Sequence, residues 1–189
     1  TLVEQAAAMG IDALALTDIN NSTGMIDFVR ACRQHGVHSM GGVEYRNGDT
    51  YLYTGIARNS HGFRELNEFL SYHIQSELPL PERAPPLEDV WVIYDFSKNP
   101  WQENRRGGKL RDRELIGVRP GEVNRLLTSP WSKEPSRLVI RHPVSFLHKN
   151  DHALHRPLRA IDHNILLSQL KPGQMARESE VLLSPALLR

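Results

Sequence analysis

Four short apolar runs lack the polar alternation of a half-exposed strand. They are Ala13-Leu14-Ala15-Leu16, Trp91-Val92-Ile93-Tyr94, Leu115–Val118 and Leu138-Val139-Ile140. Such runs suit strands covered on both faces, as in sheets flanked by helices. Helical patterns alternate with them. Thr1-Leu2-Val3-Glu4 is a capping box that opens a helix stopping at Gly10. Met25, Phe28, Val29 and Cys32 stand at helical spacing before Gly36. Ser60 caps a third helix with core residues Phe63, Leu66, Leu70 and His73. Pro120 opens a fourth ahead of Val123, Leu126 and Leu127, and a last long one spans His152 to Leu170 with Pro157 inside it or near its start. Asn47-Gly48 marks a hairpin joining Val43–Arg46 to Tyr51–Ile56, while Gly41-Gly42 interrupts the extended run before it. Residues 78–86, LPLPERAPP, carry four prolines and read as irregular surface chain. This order predicts an α/β fold with a mainly parallel sheet, open or closed into a barrel.

At 189 residues the chain suits one domain. No apolar run approaches the ~18 residues of a membrane span, and there is no signal segment, so a cytoplasmic protein is expected. Cys32 stands alone and suits the core better than a reactive site. The net charge of +1 does not mark a nucleic-acid binder. A local DNA contact would fall on Arg105, Arg106, Lys109, Arg111 and Arg113, although Asp112 and Glu114 interleave and favour a plain solvated loop.

In parallel α/β folds, functional groups gather at the C-terminal ends of strands. Asp18 and Glu44 stand at two such ends. Brought to one rim, they suit a hard divalent cation or acid–base work. An Asp there equally suits a helix cap, and a Glu an ordinary salt bridge. None of the nine histidines forms an H-x-H pair; His148 and His152 stand at H-x-x-x-H spacing with His155 close behind, but His148 falls in the loop before the helix, and surface or capping roles suit all three. No phosphate-cradling glycine loop, C-x-x-C pair or G-x-S-x-G elbow occurs.

Longer stretches carry a more specific signal. Residues 14–24 (LALTDINNSTG), 41–48 (GGVEYRNG), 55–59 (GIARN), 62–67 (GFRELN) and 154–162 (LHRPLRAID) resemble the PHP (polymerase and histidinol phosphatase) domain of bacterial DNA polymerase III alpha subunits, in the form found in Bacteroidetes. The resemblance implies a PHP-type distorted (β/α)7 barrel truncated at its N-terminus. Residues 1–189 would be a fragment of that domain, with the first strand and a His-x-His segment before Thr1 and polymerase domains after Arg189. It also implies a metal cluster in some members and, in others, an eroded site that serves as scaffold and docking surface. The implied partners are the polymerase domains of the same chain, a proofreading exonuclease subunit, a sliding clamp and DNA.

This sequence departs from the family's metal pattern. The Thr-Asp-His of the family reads Thr17-Asp18-Ile19, and its Asp-Val-His falls on Pro143-Val144-Ser145. Ile19, Pro143 and Ser145 are not ligands for these metals. Asp18 and Glu44 remain as remnant candidates for a weak Mg²⁺ site. Without a metal they need a cation within ~6 Å, and Arg46 or Arg141 is expected to supply it. The expectation is a structural and interaction module without robust phosphoesterase activity, within a chain whose whole is a DNA-directed DNA polymerase. The competing readings are a free-standing metal-dependent PHP phosphoesterase and a plain α/β binding protein.

Overall fold

The structure, a computed structural model, describes residues 1–99 and 109–187. Eleven elements carry the fold: α1 (Leu2–Ala8), β1 (Ala13–Ile19), α2 (Met25–His35), β2 (His38–Asn47), β3 (Thr50–Ala57), α3 (Ser60–Gln75), β4 (Val90–Asp95), β5 (Glu114–Val118), α4 (Val123–Leu127), β6 (Leu138–Ile140) and α5 (Asp151–Asp162).

The six strands form one sheet whose spatial order equals their sequence order. The β1–β2, β4–β5 and β5–β6 pairs are parallel, and β3 is antiparallel to both its neighbours. Five strands therefore share a direction and β3 alone is reversed. The sheet curls as a half-barrel, so that β1 and the segment after β6 line the same cleft.

Strand period 2 divides the side chains between two faces. Val43, Tyr45, Tyr53, Val92 and Tyr94 point into the main core, where α3 contributes Leu66 and Leu70. The intervening Glu44, Thr54 and Ile93 line the concave face. The proline-rich segment is tied to that core rather than loose. Leu80 and Ala84 are buried, and the Asn47 side chain donates to the Leu80 carbonyl (2.8 Å) and accepts from its N–H (2.9 Å). A second cluster, Val3, Phe28, Cys32 and Val37, joins α1 and α2 to β1. Cys32 is fully buried, as expected.

Several boundaries differ from the sequence expectation. Asn47 pairs with Thr50, so the hairpin turns through Gly48-Asp49, with Gly48 at φ +56°. Strand β2 passes straight through Gly41-Gly42. A Cβ at residue 42 would lie 2.4 Å from the Gly55 carbonyl oxygen, so glycine here permits close strand approach rather than breaking the strand. Asn59, not Ser60, caps α3 by accepting from the Gly62 N–H. In α4, Val123 and Leu127 are exposed, and Leu126 is the one of the three apolar residues that packs against the core. Helix α5 stops at Asp162, well short of Leu170, and Pro157 sits inside it. Its stop is a Schellman motif: Asn164 is at φ +51°, Ile165 N–H donates to Ala160 and Asn164 N–H to Ile161. The same paired bonds end α1 at Gly10 and α3 at Glu77.

Candidate functional site

The shared strand direction places the ends of β1, β2, β4, β5 and β6 on one rim. A cleft of about 380 Å³ opens there, and Asp18, Glu44, Arg46, Arg119, Arg141, Ser145 and Glu180 all line it. Asp95, the last residue of β4, borders the same group.

The Arg141 guanidinium is the centre of the arrangement. It donates to Glu44 Oε2 (3.3 Å) through Nη2 and to Asp95 Oδ2 (3.2 Å) through Nη1. Its side chain is only 10% exposed, and it lies over the Tyr51 ring at 4.1 Å from the centroid. Glu44 Oε1 accepts from Arg46 Nε at 2.6 Å. The strand register breaks after Tyr45, just before Arg46, where β3 carries the extra residue Leu52. The Asn20 side chain then holds both the N–H and the carbonyl of Arg46. Arg119 pairs with Glu180 (2.9 Å) and lies 3.8 Å from Asp95, and Ser145 Oγ donates to the other Glu180 oxygen.

The result is a partly buried network of three guanidinium groups and three carboxylates. Such charges tolerate burial only when paired and hydrogen-bonded. Burial pushes the Tyr51 phenol up to about 12, opposed by the adjacent Arg141 charge. At neutral pH it is a neutral donor to the Ile93 carbonyl (2.9 Å). Glu44 thus takes the salt-bridge role left open from sequence, and cations reach it from both Arg46 and Arg141. Asp18 makes no ion pair among the described residues; its carboxylate lies over Gly24. Ile19 is half exposed at the end of β1, and Pro143 lines the cleft beside Ser145.

The arrangement does not fit a metal cluster. Among the described residues, no group of three or more His, Cys, Asp or Glu side chains is placed to hold a metal ion. Glu44, Asp95 and Glu180 already meet guanidinium groups. His152 and His155 stack on each other and meet the Phe146 ring edge to face, outside the cleft lining. His155 Nε2 accepts from the Ala176 N–H (3.1 Å), and burial together with Arg159 and His152 holds its pKa below the ordinary value.

Asp95, Arg119 and Glu180 were not singled out from sequence. Asp95 and Arg119 obey the strand-end rule and were legible by it. Glu180 lies in irregular chain with no periodic signal. In the basic loop, Arg105 and Arg106 lie outside the described residues, while Arg111 is committed to the Ala84 carbonyl and to Glu114. Burial pushes the Glu114 carboxyl up, but hydrogen bonds and charge from Arg83 and Arg111 hold it below the usual range. No helix among the described residues is long and apolar enough to cross a membrane.

Comparison with known proteins agrees with this frame. A DNA polymerase III subunit alpha of Vibrio cholerae is 26% identical over 156 residues, 77% of this chain and 12% of that protein. An error-prone DNA polymerase of Symbiobacterium thermophilum is 34% identical over 70 residues, 37% of this chain and 6% of that protein. A DNA polymerase III subunit alpha of Neisseria meningitidis serogroup A is 30% identical over 76 residues, 37% of this chain and 7% of that protein. The chain thus spans 12% or less of the length of these relatives. The PHP domain model matches residues 1–110, more than half of the sequence, and this chain belongs to the PHP domain family.

Proposed function

We propose that this chain is the PHP domain of a replicative DNA polymerase III alpha subunit and serves there as a structural and interaction module. The observation that carries the proposal is the Arg141 bridge between Glu44 and Asp95. A guanidinium in that position supplies, from within the chain, the positive charge that a carboxylate rim otherwise takes from a metal. A protein-held cation offers no open coordination position, so it activates no water for phosphoester hydrolysis. Residues 1–189 are then a fragment of the domain. The full fold is a distorted (β/α)7 barrel whose first strand precedes Thr1; the curled sheet, with β1 and the chain after β6 on one cleft, supports this reading. Nucleotide addition belongs to polymerase domains beyond Arg189. A proofreading exonuclease subunit, the sliding clamp and DNA are partners of the whole protein, which works in the cytoplasm.

Asp18, unpaired at the cleft, favours a second reading: a free-standing, metal-dependent phosphoesterase that uses Asp18 and Glu44 on Mg²⁺. One experiment separates the two. The domain with its natural N-terminus is titrated with Mn²⁺ and Zn²⁺ by calorimetry, beside a phosphoesterase assay. Binding no tighter than millimolar, without turnover, is the expected result. Tight stoichiometric binding with turnover overturns the scaffold reading. A reading frame that stops soon after Arg189 overturns the polymerase assignment.

A further inference from the structure

Helix α5 is inside out. An amphipathic surface helix normally turns its apolar stripe to the core and its charges to water. Here the polar side is held inward. His155 accepts from Ala176, Arg159 Nε donates to the Gln174 carbonyl (2.8 Å), and His163 approaches Asp49 at the hairpin tip (3.5 Å). Of the helix residues, only Ala160 is fully buried. The apolar stripe faces solvent: Leu154, Leu158 and Ile161, at i, i+4 and i+7, are 66%, 54% and 74% exposed. Leu166 and Leu167 prolong it just beyond the helix, at 68% and 46%. Single exposed leucines are ordinary, but an aligned aliphatic strip with its polar face turned inward marks a surface built to be covered.

We infer that this strip docks permanently against a later domain of the same polypeptide. The inference rests on the reading of the chain as one domain of a longer polymerase subunit. Three features choose this occupant. The relative matched over most of the chain devotes 88% of its length to other sequence, so a large covalently attached surface is at hand. The strip is purely aliphatic, like a domain core cut in half, whereas transient interfaces are rich in Tyr, Trp and Arg. Its flanking charges on α5 cancel, Asp151 and Asp162 against Arg156 and Arg159, which leaves no field to steer a separate macromolecule or a nucleic acid.

The test uses the full-length polypeptide. Hydrogen–deuterium exchange over residues 151–162 is compared between wild type and L158E/I161E, with sedimentation of both. Uptake at least tenfold slower in wild type, with both proteins monomeric, is expected. A second measurement does not depend on that variant: maleimide labelling of L158C, with buried Cys32 as internal reference, is expected to be slow in the folded protein. Uptake equal in wild type and variant, or labelling of L158C as fast as in urea, overturns the inference. A wild-type dimer that the double variant dissociates overturns it in favour of a second copy. A short reading frame instead removes the polymerase reading beneath it, so the two failures are distinguishable.

Discussion

Replacing Arg141 by methionine keeps most of its volume and removes the charge between Glu44 and Asp95. At 3.2–3.3 Å each pair is worth about 5 kcal/mol of gross attraction at an effective dielectric of ~20, most of it offset by desolvation. Deleting one partner of a buried pair costs roughly 3–5 kcal/mol, because the surviving charge stays buried. Glu44 keeps Arg46 and Asp95 keeps Arg119, which favours the lower end, about 3 kcal/mol. Loss of the cation–π contact with Tyr51 adds up to about 1 kcal/mol. For a domain of this size that amounts to roughly 6–16 °C in Tm. Urea unfolding followed by circular dichroism measures the loss, and a double-mutant cycle with E44Q measures the coupling, expected at about 1–3 kcal/mol. Millimolar Mg²⁺ or Mn²⁺ is expected to restore part of the stability of R141M and to leave wild type unchanged. Equal stability of R141M and wild type, or equal metal stabilisation of both, would falsify the account of Arg141 as the resident cation.

The Tyr53 hydroxyl is buried with no hydrogen-bond partner among the described residues, whereas Tyr45 donates to the Leu66 carbonyl at 2.9 Å. Y53F should therefore be neutral or stabilise by up to about 1 kcal/mol and Y45F should cost about 1 kcal/mol; the reverse order in urea midpoints would sink this accounting. G42A drives a Cβ onto the Gly55 carbonyl and should cost about 1–3 kcal/mol, read as a lower melting temperature. The folded pKa of His155 is depressed, so its contribution is complete above the ordinary value of 6.5 and is lost as pH falls through the window below it. H155Q should flatten that slope of stability against pH between about 7.5 and 5. An unchanged slope would assign the dependence to other groups.

The elements with strong local physics were legible in the sequence. The capping box at Thr1 forms as read, both glycine stops appear at left-handed φ, and the Asn47-Gly48 signal sits on the hairpin. What misled were residues whose role depends on neighbours distant in sequence. Gly42 looks like a breaker until Gly55 is beside it. Glu77 and Asn164 end helices at positive φ although neither is glycine, so α5 reads too long. The mainly parallel sheet was read correctly in direction, yet reversed β3 makes two of its five pairings antiparallel. At the site, the strand-end rule found Asp18 and Glu44 and extends to Asp95. Glu180 lies 61 residues from its partner Arg119, and no local pattern announces it.

Strand order that equals sequence order has a consequence for assembly. Each strand finds its partner next along the chain, so the sheet can grow outward from the β2–β3 hairpin without threading one segment past another. The Glu44–Arg141 contact, 97 residues apart in sequence, closes only after the last strand has joined and the sheet has curled. Loop-closure entropy makes it a late event. Its formation thus signals a finished fold: a chain stalled at β5 has most of its sheet but lacks the guanidinium that bridges Glu44 to Asp95. For a polypeptide emerging N-terminus first, Glu44 has only Arg46 and Asp95 only Arg119 until residue 141 arrives to bridge them.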